Sequence, residues 1–309
     1  MTSCLITGGA GAIGSNLAAA LIGRGHDVAI IDDLSSGHRN LVPPHARLIE
    51  GSIESDAKLT EVFGAKPQCV FHLAALFANQ NSVEHPERDL LVNGRGTVKV
   101  LQHAVSSGVQ KLLFTSSSCV YGHKEVMHED DIDFDLDTPY AVTKLLGEQY
   151  CKYWSRSHGL DTVIVRLFNT YGPHEYPGPY RNVVPNFIKL AMRGEPLPIT
   201  GTGEETRDFN FVGDIVEGLI GAMEASTPPG EIYNLASGAG MRIIDLANQI
   251  NEITGSGAGV AFKPRRGWDR VLNRRGDSSK AFAAFGFRSK TLVPEGLART
   301  YAWIKSVDA

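Results

Sequence analysis

The 309-residue sequence predicts an α/β fold: a parallel sheet covered by helices on both faces, followed by a smaller C-terminal α/β lobe. Three observations carry this expectation. Short apolar runs alternate with longer amphipathic runs through the first half of the chain. A glycine-rich turn joins the first apolar run to the first helical one. The alternation stops after Arg166, where proline and glycine break the pattern.

Taken in order, CLIT (4–7), VAII (28–31), RLIE (47–50), CVFHLAA (69–75), KLLFTS (111–116) and TVIVR (162–166) read as strands. They are short, rich in Val, Ile and Leu, and closed by small or polar residues, as strands buried on both faces require. Residues 13–25, 86–105 and 140–158 have helical length and period. Residues 168–182, FNTYGPHEYPGPYRN, are rich in proline and glycine and read as a shaped loop. Helices are expected at 183–193, 214–225, 242–254, 278–285 and 294–305, with short strands near 208–211 and 231–234. This divides the chain into residues 1–166 and 167–309, with room for part of the second segment to return to the first sheet. There is no internal repeat or low-complexity tract.

Composition narrows the function. At 42% hydrophobic and 21% charged residues, the chain is neither disordered nor collagen-like. A formal charge of −4 gives no electrostatic case for binding nucleic acid. No apolar run approaches the length of a membrane span, and MTSCLITGGAG has no secretory pattern, so a cytoplasmic location is expected. Cys4, Cys69, Cys119 and Cys151 are scattered without CxxC spacing, which argues against a metal site or a disulfide framework. Cys4 and Cys69 sit in apolar runs and read as small core residues.

The glycine turn lies in CLITGGAGAIGSNLAAAL. Gly9, Gly11 and Gly14 satisfy G-x-G-x-x-G, and Gly8, Gly11 and Gly14 satisfy G-x-x-G-x-x-G. Without Cβ atoms the turn tightens and its backbone can approach a pyrophosphate, to which the helix N-terminus offers free N–H groups. The strand–turn–helix context makes the motif specific. The next run, DVAIID, ends at Asp32, near the ~20-residue offset of an acid that accepts from the adenosine ribose 2′-hydroxyl. A carboxylate there repels a 2′-phosphate, which favours NAD over NADP. His38 and Arg39 follow only after LSSG, late for a phosphate clamp.

In TPYAVTKLLGEQY, Tyr140 and Lys144 stand four residues apart and share a helix face. Alone, such a pair is usually a surface feature. Here the helix follows KLLFTSSSCVYG, which places Thr115, Ser116, Ser117 and Ser118 at the carboxyl end of a strand, where the ligand crevice of an open α/β sheet lies. A free tyrosine titrates near ~10, so base chemistry at neutral pH needs a cation nearby. Lys144 and an oxidised nicotinamide supply that charge, and Tyr140 can then take a hydroxyl proton as hydride leaves the same carbon.

Together TGGAGAIG, TSSSCVYG, YAVTK, RLFNTYGP and TRDFNFVGD resemble the extended short-chain dehydrogenase/reductase family, most closely its NAD-dependent nucleotide-sugar epimerase/dehydratase branch. The ordered motifs cover nearly the whole chain. The resemblance implies a Rossmann-type doubly wound sheet that binds NAD within 1–166, and a mainly nucleotide-sugar-binding lobe in 167–309. It implies that Tyr140 is the base, Lys144 its pKa-lowering partner on the nicotinamide ribose, and Ser117 the hydroxyl beside the reacting oxygen. Gly8, Gly11, Ala12, Ile13 and Gly14 then match the pyrophosphate turn. Asp32, with Asp33 and Ser36, matches the ribose site, and Ser52 and Ile53 fall at the adenine. Leu73, Ala74 and Ala75 match a segment under the cofactor, with Asn93 nearby on the next helix. Phe168 and Asn169 match the bridge between cofactor and sugar. Asn182 and Val183 fit the start of the nucleotide-diphosphate site, Ile199 lies near the base, and Arg207 faces phosphate. In KPRRGWDRVLNRR, the cluster Arg265, Arg266, Arg270, Arg274 and Arg275 suits a diphosphate, which arginine binds bidentately; Arg266 and Asp269 are the preferred contacts. The resemblance also implies a homodimer formed by a four-helix contact. Two departures stand out: Ser52 replaces a frequent adenine-contact acid, and Phe77 stands where some epimerases place a lysine.

Oxidation to a bound 4-keto sugar is shared across the branch. Dehydratases place an acidic pair just after the catalytic hydroxyl, and decarboxylases a Glu two residues after it. Here these positions are Ser118 and Cys119, so the expected outcome is 4-epimerisation of a nucleotide-diphosphate sugar, a UDP-hexose or UDP-uronate. A 3,5-epimerase/reductase using Cys119, with His174 nearby in sequence, or a 4,6-dehydratase is the alternative within the family. A non-catalytic NAD-binding protein is the alternative outside it.

Overall fold

The computed structural model describes residues 1–308. Its first half alternates strand and helix: β1 (Ser3–Thr7), α1 (Ala12–Gly23), β2 (Asp27–Asp32), β3 (Arg47–Glu50), α2 (Asp56–Phe63) and β4 (Cys69–His72). After α3 (Asn79–Glu84), α4 (Pro86–Asp89) passes through a π-helical segment, Leu90–Gly96, into α5 (Thr97–Ser106). Then come β5 (Lys111–Ser117), β6 (Val126–Met127), α6 (Pro139–His158), β7 (Asp161–Leu167) and β8 (Asn169–Tyr171). The remainder is α7 (Val183–Met192), β9 (Leu197–Thr200), β10 (Thr206–Phe211), α8 (Val212–Glu224), β11 (Glu231–Leu235), β12 (Gly240–Arg242), α9 (Ile243–Thr254), β13 (Val260–Lys263), β14 (Arg275–Gly276), α10 (Ser279–Phe285) and α11 (Val293–Val307).

Seven strands form one parallel sheet in the order β3-β2-β1-β4-β5-β7-β11. The order reverses between β1 and β4, which opens a crevice at the carboxyl ends of the strands. The chain re-enters this sheet through α8 and β11, while β8, β10 and β12 make a second small sheet. Apolar side chains fill both faces. On one, Leu17 and Leu21 of α1 meet Ile215 and Leu219 of α8, and this core continues into Phe187, Ile188, Leu246, Ile250 and Leu297. On the other, Leu59, Phe63, Val100, Leu101, Cys151 and Trp154 are buried together.

The helix that carries Tyr140 is firmly delimited. The Thr138 hydroxyl accepts from the Ala141 N–H (3.3 Å), Pro139 occupies the first turn, and Gly159 closes the helix in the left-handed region (φ 69°). Behind it lies a fully buried ion pair. Arg166 of β7 binds Glu148 of α6 bidentately, Nε and Nη2 each 2.8 Å from a carboxylate oxygen. Ser116 of β5 donates to the same carboxylate (2.5 Å), and Arg166 also donates to the Glu129 carbonyl (2.8 Å). The guanidinium lies over the Tyr121 ring (4.6 Å), whose hydroxyl donates to Asn234 of β11 (2.6 Å). One polar network thus joins three strands and one helix.

Several sequence expectations are corrected. α2 was not anticipated, because its eight residues carry only a short apolar stripe. β4 ends at His72, so Leu73–Ala75 leave the sheet instead of extending the strand. The expected helix at 86–105 contains a π-helical stretch, and the loop at 168–182 begins with the three-residue strand β8. Cys4 and Cys69 are buried neighbours across β1 and β4, as expected of core residues. Among the described residues, no helix is long and apolar enough to cross a membrane, and no cluster of His, Cys, Asp or Glu could hold a metal ion.

Replacing Arg166 by Met strands the Glu148 charge in the core and should destabilise the protein by about 3–5 kcal/mol in denaturant titration. Adding Glu148→Gln should restore a large part of that loss. A near-neutral single substitution would show that the pair does not hold the strands.

Candidate functional site

A cavity of about 1150 Å³ runs along the carboxyl ends of the central strands, between the sheet and the C-terminal elements. That exceeds the ~300–1,000 Å³ of an ordinary small-molecule site. One end is the glycine turn. Gly8 lies in the left-handed region (φ 74°), and a Cβ there would sit 2.8 Å from the Ala74 backbone. A Cβ on Gly14 would sit 2.3 Å from the Gly8 carbonyl, so strand, turn and helix can meet only without those atoms. α1 begins directly after Gly11 and aims its first N–H groups at the cavity. Asp32 ends β2 beside it. Its two carboxylate oxygens accept from the Ala10 and Leu34 N–H groups (both 2.9 Å), and burial raises its pKa against those bonds. The remaining lone pairs face the wall where a ribose diol would lie. Arg39 is turned away and pairs with Glu50. The chemistry and shape of this end fit NAD.

At the centre of the cavity stand Ser117, Tyr140 and Lys144. Lys144 Nζ donates to the Thr115 carbonyl (2.9 Å) and lies 5.6 Å from the centre of the Tyr140 ring. Burial lowers the Lys144 pKa to about 8, with Asp89 opposing the shift, so the ammonium persists at pH 7. Burial pushes the Tyr140 phenol far above its usual range, and Cys119 and Asp89 add to the shift. The protein's own groups therefore leave a neutral phenol; phenolate chemistry needs further positive charge, which an oxidised nicotinamide supplies. α3 anchors this helix start: Ser82 Oγ accepts from the Tyr140 N–H (3.1 Å), and Asn79 accepts from the Thr138 hydroxyl (2.9 Å). Phe77, in place of a lysine, meets the Tyr140 ring edge-on at 6.1 Å.

The far end is cationic. Arg207 donates to Asp269 (3.2 Å) and to the carbonyls of Thr206 and Leu272. Arg265, Arg266 and Arg274 also line the wall, and Arg266 lies over the Trp268 ring (5.6 Å). The arginine run therefore divides: Arg270 points out to Asp135 and Asp137, and Arg275 is exposed on β14. Asn182 stands just before α7 without a capping side-chain bond, and its Nδ2 donates to Glu175 (2.8 Å).

The expected cofactor and substrate residues converge on this one cavity: Gly8, Gly11, Ala12, Ile13, Gly14, Asp32, Asp33, Ser36, Ser52, Ile53, Leu73, Ala74, Ala75 and Phe168 on the sheet side, and Asn169, Asn182, Val183, Ile199, Arg207, Arg266 and Asp269 beyond it. Asn93 does not line it. Its carboxamide is buried behind the wall, where it accepts from the Leu76 N–H (2.7 Å) and donates to Asp89 (2.7 Å), so it shapes the segment instead of touching the cavity. His174 is no partner of Cys119: it hydrogen-bonds Ser15 (2.9 Å) and packs on Trp303. Sequence reasoning missed Glu175 and Asn79, both in the wall, because neither belongs to a spaced motif.

The model of the NAD dependent epimerase/dehydratase family matches residues 4–236. A UDP-N-acetyl-alpha-D-glucosaminuronate decarboxylase of Bacillus cytotoxicus is 34% identical, over 99% of this chain and 98% of that protein. Among solved structures, an epimerase from Methanothermobacter thermautotrophicus is 46% identical with a TM-score of 0.97, covering 99% of this chain and 93% of the other. A UDP-glucose 4-epimerase of Thermotoga maritima, solved with UDP-glucose, is 33% identical with a TM-score of 0.94, covering 99% of each chain.

Burial raises the Glu175 pKa from 4.5 to about 7, against the opposing N–H groups of Asn182. The linked stability is present below pH 4.5 and is lost as pH rises through 7, where the folded state must ionise a buried acid. Glu175→Gln should therefore raise the melting temperature more at pH 8 than at pH 5 in calorimetry without ligand. An equal change at both pH values would contradict the burial argument.

Proposed function

We propose that this chain, which belongs to the NAD-dependent epimerase/dehydratase family, is a nucleotide-sugar 4-epimerase. The observation that carries the reading is Tyr140 with Lys144 Nζ 5.6 Å from its ring, in the same cavity wall as Ser117, with no carboxylate at the two positions that follow Ser117. NAD supplies the hydride acceptor and donor when bound. The residues do the rest. Ser117 and Tyr140 receive the sugar's 4-hydroxyl, and Tyr140 takes its proton as C4 is oxidised. Lys144, pinned on the Thr115 carbonyl, favours the phenolate. Rotation of the 4-keto sugar presents its other face, and Tyr140 returns the proton to the opposite epimer. Arg207 and Arg266 hold the diphosphate. Dehydratases and decarboxylases of the family are expected to carry acids just after this serine. The sequence offers Ser118 and Cys119 there, and Asp137 of the wall is engaged by Arg270 (2.6 Å).

The UDP-glucose 4-epimerase and UDP-sugar decarboxylase among the similar proteins support a uridine-diphosphate sugar as substrate. A second reading, proton abstraction at C3 or C5 by Cys119, draws on that thiol's place in the wall. Solvent deuterium in the product at C3 or C5 would favour it; its absence supports C4 chemistry. Cytoplasmic residence accords with these substrates.

We also infer a homodimer. Leu90 (53% exposed) and Leu91 on the π-helical segment, with Val142 (52%) and Tyr153 on α6, leave an apolar face uncovered on two helices packed side by side. A second copy of that face would close a four-helix contact.

Tyr140→Phe should retain NAD binding, measured by fluorescence titration, and lose roughly 10²–10⁴-fold in turnover; a rate near wild type would remove Tyr140 from the chemistry. Leu90→Glu with Val142→Glu should convert a dimer to a monomer in light scattering. An unchanged mass would place any interface elsewhere.

A further inference from the structure

Resting on the reading of Tyr140 and Lys144 as the reacting pair, we propose that Asp89 is a positioning residue for both: a buried counter-charge behind the cavity wall that fixes the first turns of α6 and sets the pH range in which the pair works. Asp89 ends α4, has no solvent exposure and does not line the cavity. Its Oδ2 accepts from the Thr143 hydroxyl (2.7 Å) and its Oδ1 from Asn93 Nδ2 (2.7 Å). Thr143 stands between Tyr140 and Lys144, and its hydroxyl also reaches the Tyr140 carbonyl (3.2 Å). Asn93 in turn makes two bonds with the Leu76 backbone, its Oδ1 accepting from the N–H (2.7 Å) and its Nδ2 donating to the carbonyl (3.2 Å). One carboxylate therefore joins the wall segment at Leu76 to the helical turn that carries both reacting groups.

A neutral amide could make those two bonds. A carboxylate adds charge, and both of its partners are neutral. Its neighbour Arg88 pairs with Glu54 (2.5 Å), and Glu148, one turn beyond Lys144, is matched by Arg166. The cation left to Asp89 is Lys144, next to Thr143 and bonded through Nζ only to the neutral carbonyl of Thr115. The other titratable groups around the pair are His72, Cys119 and Cys151. Burial and the Lys144 charge lower the His72 pKa to about 3, and burial pushes the Cys151 thiol up, so neither is charged at neutral pH. Burial raises the Asp89 pKa against the Thr143 hydroxyl, the Lys144 charge and the Asn93 amide. Negative charge at this place favours the Lys144 ammonium and disfavours the Tyr140 phenolate. Its removal lets Lys144 and Tyr140 each lose a proton at lower pH.

NMR of the NAD-loaded protein with isotope-labelled lysine side chains follows the Lys144 titration directly, its signal assigned by its loss in Lys144→Arg. Asp89→Asn keeps an oxygen for Asn93 and an amide for the Thr143 hydroxyl, and should lower the Lys144 midpoint by roughly 0.5–2 pH units, the effect of one buried charge at intermediate dielectric. Asp89→Ser, a smaller neutral side chain, gives the same reading where the amide is not accommodated. Asp89→Glu keeps the charge and should hold the midpoint above that of either neutral variant. A midpoint unchanged in both neutral variants would overturn the proposal and leave Asp89 a structural anchor. The second arm is the pH profile of C4-epimer formation from UDP-glucose or UDP-glucuronate. Both limbs should move to lower pH in Asp89→Asn; a rate lowered equally at every pH, with the limbs in place, would be the mark of lost structure alone and would also overturn the proposal. A wild type that forms no epimer at any pH would remove the 4-epimerase reading, and the Lys144 midpoint would still decide the role of Asp89.

Discussion

The ion pair between Glu148 and Arg166 is the constraint on which the site depends. Two charges without solvent contact persist only where geometry and further hydrogen bonds offset their desolvation. Here the offsets come from the elements that build the crevice: Ser116 from β5, the Glu129 carbonyl, and the Tyr121 face that leads on to Asn234 of β11. Glu148 stands one helical turn beyond Lys144, which itself stands one turn beyond Tyr140. Fixing the carboxylate fixes the azimuth of α6, and with it the direction in which the ammonium and the phenol project. The serine they face belongs to the same strand as Ser116. A network that lies behind the cavity wall and reaches it through Ser116 therefore sets the mutual placement of the three groups inside it.

Charge is distributed along the cavity in a way that matches its ligands in sequence. Asp32 and the N-terminus of α1 occupy the cofactor end, one negative and one bearing unpaired N–H groups, as a ribose and a pyrophosphate require. The middle carries a single cation below a phenol. The far end is rich in guanidinium. Two buried carboxylates behind the wall are engaged within the fold: Asp208 accepts from Ser237, Gly238 and Gly276 and clamps two loops to β10, while Asp89 is held by Thr143 and Asn93. Positive potential at the substrate end thus survives in a chain whose overall charge is negative.

The sequence was most legible where physics imposes fixed spacing. The glycine turn, Asp32 at the end of the next strand, and the Tyr140–Lys144 interval each follow from one local geometry, and the structure puts them on one cavity. Asn93 was assigned to the cofactor because it is near in sequence to that wall; only tertiary structure shows its amide turned to Leu76 and Asp89. α3 escaped notice because NQNSVE has little apolar periodicity and is held by its partners instead of its own pattern. The contact between Cys119 and Arg274 joins positions 155 apart in sequence, and nothing local announces it. Even within the arginine run, only packing separates Arg274, which faces inward, from Arg270, which faces out.

The apolar core that begins under α1 and α8 continues unbroken into α7, α9 and α11. Segments that share one close-packed interior cannot swing apart as rigid bodies without exposing it to water. Any adjustment to a bulky ligand then falls to the segments that line the cavity around Pro173–Asn182 and Arg265–Arg274, the second of which is tied to α3 by the hydrogen bond from Trp268 to Gln80 (2.9 Å).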